Sequence, residues 1–351
     1  MGLHNRVSLF IVIMSLLLFT ACSTAAGPSD RSDTESGTAD SAEPANQDLV
    51  TVVTTVSPIT NIVYNIGGKY INLTGIVPEG VNSHTFEPAP SDAQLLAAAD
   101  IIFINGLNLE EPTLRLAEAN LHESAEIVLL GEQTIAPEEY VYDFSFPIEV
   151  GSPNPHLWTN PFHALTYAGI VLDKLAERDP DHADAYNANY ELFADRITVL
   201  DQAIKATIAS IPPENRRLLT YHDSWAYFAP LYGVTIIGAI QPSDFAEPSA
   251  RDIGELITQI RAEKVPAIFG SEVFPSPILE QIAKESGANY VDDLRDDDLP
   301  GEPGDGNHSY IGLMAENIRT MAAALGGDPS LMESVDTTNI PGADDTVEQA
   351  K

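Results

Sequence analysis

The amino-acid sequence predicts an α/β protein made of two parallel-sheet lobes that are joined by one long, rigid helix. Three observations indicate this fold class. Apolar, β-rich runs alternate with helix-like segments from Leu49 onward, the alternation resumes after residue 215, and a long segment with helical periodicity separates the two parts. At 351 residues, the chain is also long enough for two lobes with sizeable cores.

The N-terminus has the pattern of a bacterial export signal. An apolar run ends at Phe19, shortly before Cys22, and it is shorter than the ~20 apolar residues that a bilayer crossing needs. Residues 1–21 are therefore predicted to be a lipoprotein signal peptide and Cys22 the lipid anchor. An ordinary secretory signal is the alternative, because Phe19 stands where lipoproteins usually carry Leu. Residues 22–48, rich in small and polar side chains, are predicted to be a flexible tether.

The first lobe is predicted to span residues 49–178. Its strands are expected at residues 49–56, 71–77, 101–104 and 127–130. Its helices are expected at residues 59–66, 91–99 and 112–119. Because helices separate consecutive strands, the sheet is predicted to be parallel.

Residues 179–213 are predicted to form the linking helix. Seven apolar side chains recur at spacings of three and four, which places them on one face of a helix: Tyr186, Tyr190, Phe193, Ile197, Leu200, Ile204 and Ile208. A helix from about residue 182 to about residue 210 would be roughly 43 Å long, enough to run along both lobes. Such a brace would resist hinge motion.

The second lobe is predicted to span residues 214–327. Its strands are expected at residues 218–221, 234–240, 267–269 and 290–291, and its helices near residues 225–232, 250–263 and 277–286. The remaining residues, 328–351, are polar and acidic without periodicity, and they are predicted to be disordered.

The charge balance narrows the class of ligand. The chain has 17 basic and 52 acidic residues, a formal net charge of −35. This charge argues against nucleic acid and against tight docking on anionic lipids, because phosphates would be repelled. It fits a cation binder, although acidity also keeps an exported protein soluble. Cys22 is the only cysteine, so a metal site must use His, Asp or Glu.

Three of the eight histidines follow predicted strands or lie in proline-stiffened loops beyond them: His84, His156 and His222. Open α/β sheets bind ligands at the carboxyl ends of their strands, so these three are candidate metal ligands. A structural or surface role is expected for the other histidines of the exported domain, which are His122, His163, His182 and His308.

Four segments carry a resemblance to the zinc- and manganese-binding solute receptors of bacterial ABC transporters, which covers residues 49–325. The segments are His84-x-Phe86-Glu87-Pro88-x-x-Ser91-Asp92; Pro155-His156-Leu157-Trp158-x-x-Pro161; His222-Asp223-Ser224-x-x-Tyr227-Phe228; and Tyr290-Val291-Asp292-Asp293-Leu294 with Ser309-Tyr310-x-x-Leu313-Met314-x-x-Asn317. The chain departs from the family at Asn154, where an Asp is usual.

The resemblance implies a metal site in the cleft, with ligands His84 and His156 from the first lobe and His222 and Asp292 from the second. Asp293 is an alternative to Asp292, because successive strand side chains point to opposite faces. Glu272 is predicted to orient one of the imidazoles from behind. The run of acidic residues 296–298 is predicted to be a solvated loop.

The implied function is extracytoplasmic capture of a divalent transition metal by a monomer that is lipid-anchored to the outer face of the cell membrane. Partners would be an ABC permease and its ATPase. Three imidazoles and one carboxylate favour Zn²⁺, with Mn²⁺ as the alternative. Less favoured are an adhesin with structural metal and a zinc hydrolase, which would need an open coordination position. No enzymatic activity is expected.

Overall fold

The computed structural model describes residues 49–349, apart from residues 242, 244–247, 274–276, 293 and 341–347. The predicted signal peptide, the anchor Cys22 and the tether lie outside the described residues. Within the described part, no helix has the length and apolar character required to cross a membrane.

The first lobe is built around a parallel sheet. Its strands are β1 (Val50–Thr54), β2 (Ile71–Gly75), β3 (Ile101–Ile104) and β4 (Glu126–Leu129), and its helices are α1 (Ser57–Gly67), α2 (Asp92–Ala98), α3 (Glu111–Asn120) and α4 (Leu130–Thr134). The strand order is β4-β3-β1-β2, and each pairing is parallel. These strands and α1 to α3 agree with the predicted bounds to within two residues.

The first lobe ends with α5 (Pro161–Arg178), and the long helix α6 (Ala183–Ser210) connects it to the second lobe. The apolar spacing predicted α6 correctly, and its 28 residues bury one continuous apolar face against α1 and α5. Pro212 and Pro213 follow its end, where the ring fixes φ and removes the backbone N–H. The sequence analysis did not predict the full length of α5.

The second lobe repeats the architecture. Its strands are β5 (Arg217–Thr220), β6 (Thr235–Ala239), β7 (Ala267–Phe269) and β8 (Asn289–Val291), and its helices are α7 (Ala229–Tyr232), α8 (Ala250–Glu263) and α9 (Pro277–Ser286). The strand order is β6-β5-β7-β8, again parallel. The fold class predicted from the sequence is confirmed.

The last helix, α10 (Tyr310–Leu325), packs against α6 and α1. The chain after it differs from the disordered tail that was expected. Met332 and Ile340 are buried, and the side-chain oxygen of Asn339 accepts hydrogen bonds from two asparagines of α1. A short strand, β9 (Glu348–Gln349), pairs with β2. The buried apolar side chains between residues 332 and 340 therefore hold the described part of the tail on the body of the protein.

Candidate metal centre

Three loops bring the predicted histidines together. His84 lies in the turn Ser83–Thr85 beyond β2, where its backbone N–H donates to the Asn82 side chain at 2.9 Å. His156 precedes α5, and His222 lies just beyond the end of β5. The side chains of His156 and His222 are buried, with 0% and 3% of their surface exposed.

The Nε2 atoms of the three imidazoles face one another. The His84–His156 distance is 3.1 Å, the His84–His222 distance is 2.9 Å and the His156–His222 distance is 3.0 Å. Nitrogen ligands that surround Zn²⁺ tetrahedrally at ~2.1 Å lie about 3.4 Å apart, so the triangle is close to the size that a metal requires. Within the described residues, this trio is the one cluster of His, Cys, Asp or Glu side chains with metal-binding spacing.

Two side chains orient the imidazoles from behind. Asn154 Oδ1 lies 2.8 Å from Nδ1 of His156, and Gln241 Oε1 lies 2.7 Å from Nδ1 of His222. An amide oxygen only accepts, so each Nδ1 carries the proton and each Nε2 keeps its lone pair. The two rings are thereby fixed in the tautomer that binds metal through Nε2.

The surroundings also keep the imidazoles neutral. Burial lowers the pKa of His84 and of His156 well below the usual value of 6.5, and the neighbouring imidazoles lower both further. Burial lowers the pKa of His222 to about 4, although its hydrogen bond to Gln241 opposes this shift. All three therefore remain available as ligands at neutral pH.

A carboxylate other than the predicted one approaches the trio. Asp296 Oδ2 lies 3.8 Å from His156 Nε2 and 3.7 Å from His222 Nε2. The Asp296 side chain is 2% exposed, and the Ser224 side chain next to it opposes the effect of burial on its pKa. A buried carboxylate oriented in this way is suited to complete a cation site.

Asp292, expected as the fourth ligand, is not brought to the imidazoles. Its side chain is exposed directly after β8, and Asp293 lies outside the described residues. The chain then turns inward, because Leu294 is buried and its N–H donates to the carbonyl oxygen of Gly270. This turn carries the following acidic residues, including Asp296, into the cleft.

The acidic run 296–298 is not the solvated loop that was predicted. All three side chains are buried, with at most 8% of their surface exposed. Glu272 Oε1 accepts the backbone N–H groups of Asp296, Asp297 and Asp298 at 2.9, 3.0 and 3.1 Å. Glu272 therefore orients the loop of residues 296–298. It was predicted to orient an imidazole, but its hydrogen bonds go to this loop instead.

Buried carboxyl groups make the cleft favourable to cations. Burial raises the pKa of Asp296 and of Asp297 well above the ordinary range, and burial and the neighbouring aspartates raise the pKa of Glu272 to about 7. A divalent cation would displace protons from these carboxyl groups and would then compensate the negative charge of the carboxylates.

Hydrogen bonds across the cleft join the loops of the two lobes. Asp297 Oδ2 accepts from the backbone N–H and the hydroxyl of Ser83 at 3.1 and 2.8 Å. The indole N–H of Trp158 donates to the carbonyl oxygen of Asp296 at 2.9 Å. The loop that carries Asp296 is thus tied to both loops that carry the first-lobe histidines.

The sequence matches a known family over most of its length. The profile of the family described as zinc-uptake complex component A, periplasmic, matches residues 52–324. The manganese-binding lipoprotein MntA of Halalkalibacterium halodurans is 26% identical over 317 residues, which cover 90% of this chain and 97% of that protein. The iron-binding protein YfeA of Yersinia pestis is 30% identical over 275 residues, which cover 78% of this chain and 86% of that protein.

Solved structures share the fold. The periplasmic zinc-binding protein TroA of Treponema pallidum superposes with a TM-score of 0.71 at 28% identity, covering 79% of this chain and 99% of that one. A cadmium-bound periplasmic metal-binding protein from Candidatus Liberibacter asiaticus gives a TM-score of 0.68 at 25% identity, covering 78% of this chain and 99% of that one.

Proposed function

Because this chain belongs to the family of periplasmic zinc-uptake complex component A, whose members are extracytoplasmic metal-binding receptors of ABC transporters and not enzymes, we propose that its cargo is Zn²⁺. The ion would be held by His84, His156, His222 and Asp296, two residues from each lobe. The loaded receptor would deliver it to a cognate ABC permease and its ATPase.

The observation that carries this proposal is the convergence of three imidazole Nε2 atoms within 3.1 Å of one another. Neutral imidazole nitrogens with one carboxylate oxygen are a donor set that Zn²⁺ favours in four-coordinate sites. A cation, rather than an anion or a neutral solute, also fits the buried Asp296 and the acidic residues around it.

Manganese is the alternative cargo. Relatives are named for manganese and for iron as well as for zinc. If Asp296 bound through both oxygens, the site would offer five donors, and Mn²⁺ prefers more oxygen than Zn²⁺ does. Three nitrogen ligands nevertheless favour zinc, because Zn²⁺ binds nitrogen donors more tightly than Mn²⁺ does.

The position in the cell is part of the proposal. Several relatives are named as lipoproteins, and Cys22 follows the predicted export signal in this sequence. We propose that a lipid on Cys22 holds the receptor monomer at the outer face of the cell membrane. Expression of Cys22→Ala in the native host should release the receptor from washed membranes, whereas unchanged retention would contradict the anchor.

The cargo is tested with protein purified from metal-limited cells. Native mass spectrometry should show one Zn²⁺ per chain, and competition between Zn²⁺ and Mn²⁺ should favour zinc. Stronger retention of Mn²⁺ at equal concentrations would overturn the zinc assignment.

The fourth ligand is tested with a matched pair of variants. Asp296→Asn removes a buried carboxyl group beside the imidazoles, while Asp292→Asn makes the same chemical change at an exposed position four residues away. Asp296→Asn should weaken zinc binding by about 10–100-fold or more, the loss typical even of residues that only support a ligand. Asp292→Asn should bind as the unmodified protein does. The reverse result would restore Asp292 as the ligand.

A further inference from the structure

One aromatic ring contacts the whole histidine trio. The ring centroid of Phe146 lies 5.6 Å from that of His84, 5.7 Å from that of His156 and 6.1 Å from that of His222. Phe146 is 6% exposed, although it belongs to a loop between α4 and α5 without regular structure. An apolar side chain is thus placed directly against the candidate metal centre.

The turn that carries Phe146 crosses from the first lobe to the second. The carbonyl oxygen of Phe146 accepts the N–H of Asp143 at 3.0 Å, which closes the turn. The hydroxyl of Ser145 donates to the carbonyl oxygen of Gln241 at 3.0 Å. Gln241 also orients His222, so the turn is attached to the residue that supports a second-lobe ligand.

A cavity leads from this ring toward solvent. It has a volume of about 100 Å³, and its walls include His84, Phe146, Val150, Pro155 and Ser243. His84 and Phe146 line this cavity whereas His156 and His222 do not, so the cavity reaches the histidine trio on the His84 side.

We infer that Phe146 is a specificity-determining residue that excludes water and other oxygen ligands from the bound metal. This inference rests on the proposed function. A ring packed against all three imidazoles leaves no room on that side for the additional oxygen ligands that Mn²⁺ favours, whereas Zn²⁺ is satisfied with four donors. Because the ring forms part of the cavity wall beside His84, its removal would widen the route by which the ion can leave, and faster dissociation is expected.

The test compares Phe146→Ala with Phe146→Leu, which keeps an apolar side chain, and with Phe144→Ala. Phe144 lies two residues away and is 54% exposed, so it controls for changes in the turn itself. Each protein is loaded with Co²⁺ as a spectroscopic probe of coordination number. Zinc dissociation into excess chelator and competition between Zn²⁺ and Mn²⁺ are measured on the same preparations.

Phe146→Ala should release zinc about tenfold faster, a change equivalent to the contact energy of one aromatic side chain. Its Co²⁺ absorption should weaken as water adds to the metal, and its preference for zinc should fall. Phe144→Ala should resemble the unmodified protein, and Phe146→Leu, whose side chain is shorter, should show smaller changes in the same direction as Phe146→Ala. If Phe146→Ala folds and binds metal but matches the unmodified protein in all three measurements, the inference is wrong while the proposed function stands. Failure of the unmodified protein to bind zinc would overturn both the inference and the proposed function. If Phe146→Ala does not fold, Phe146→Leu provides the test. Faster zinc release in Phe146→Leu would support the inference, and no change would refute it.

Discussion

The side-chain oxygen of Asn154 lies 2.8 Å from Nδ1 of His156, and the amide nitrogen of the same side chain donates to the carbonyl oxygen of Asp223 at 2.7 Å. That nitrogen also donates to Asp143 Oδ2 at 3.1 Å. One neutral side chain therefore orients a first-lobe ligand and contacts the second lobe. The aspartate that is usual at this position would lack the donor and would add a charge beside Asp143 and Asp223.

Substitution of Asn154 should consequently weaken metal binding without removing a ligand. Asn154→Ala should lower zinc affinity by about 10–100-fold, the usual loss when the partner behind a metal-bound imidazole is removed. Asn154→Asp should also lose zinc affinity. It keeps an oxygen that accepts from His156, but its negative charge lies beside Asp143 and Asp223. Chelator competition measures both, with Asn120→Ala on α3 as the remote control. An Asn154→Asp protein that bound zinc more tightly would contradict this account.

Glu272 should stabilise the metal-free protein through the loop that it holds. Glu272→Ala leaves the three buried N–H groups of residues 296–298 without their acceptor, and each unsatisfied group costs roughly 1–3 kcal/mol. Glu272→Gln retains an acceptor oxygen and should lose less stability. Urea unfolding measures the free energy of unfolding, and Glu280→Ala, at an exposed position on α9, is the control. Equal stabilities for all variants would refute the role of Glu272.

The pH dependence of zinc binding should be set more by carboxyl groups than by imidazoles. Protons begin to compete with a metal for an ordinary imidazole nitrogen near pH ~6.5. Burial lowers the pKa of His222 to about 4, so this competition begins only at lower pH. The pKa of Asp296 is shifted in the opposite direction, well above its usual range, because the carboxyl group is buried. Zinc must therefore displace a carboxyl proton, and affinity should still rise with pH above ~6.5, where an ordinary imidazole is already deprotonated.

Calorimetry in buffers of different ionisation enthalpy measures the protons released when zinc binds. Proton release at neutral pH should decrease in Asp296→Asn, because the titrating carboxyl group is gone. Asp292→Asn should release as many protons as the unmodified protein. Undiminished release in Asp296→Asn would indicate that imidazoles supply the protons.

A second titrating carboxyl group, Glu110, should affect folding stability. It is buried and accepts hydrogen bonds from the Thr55 hydroxyl at 2.6 Å and from the N–H of Asn105 at 3.1 Å. Burial raises its pKa from 4.5 to about 7, so the folded protein binds this proton more tightly than the unfolded chain. The resulting stability is fully present below about pH 4.5 and is lost as pH rises through about 7.

The free energy of unfolding, measured by urea at several pH values, should therefore contain a contribution that declines over this interval. Glu110→Gln should remove that contribution, because the amide does not titrate. Glu111→Gln, at the neighbouring and more exposed position, should retain it. A decline of the same size in Glu110→Gln would show that another group is responsible.

The sequence contained most of the fold and three quarters of the candidate ligand set. Apolar periodicity located α6, and the positions of His84 and His222 after strands indicated a shared edge. Asp296 was missed because a run of three acidic residues is usually solvated. Its burial depends on Glu272, which is distant in sequence and whose role is visible only after folding. Phe146 was also missed, because the loop around it has no periodic pattern and its contact with the histidines is visible only after folding.

The packing of α6 predicts a small conformational response to metal. α6 contacts α1, α5 and α10, and side chains from Tyr186 to Ile208 are buried along it, so bending it would open the core. The cross-lobe bonds of Asp297 and Trp158, by contrast, involve loops only. Zinc should therefore slow hydrogen exchange in the loops at residues 222–224 and 295–298 while exchange in α6 stays unchanged. Small-angle scattering should show little compaction, and a large decrease in radius of gyration would mean that the helix does not prevent hinge closure.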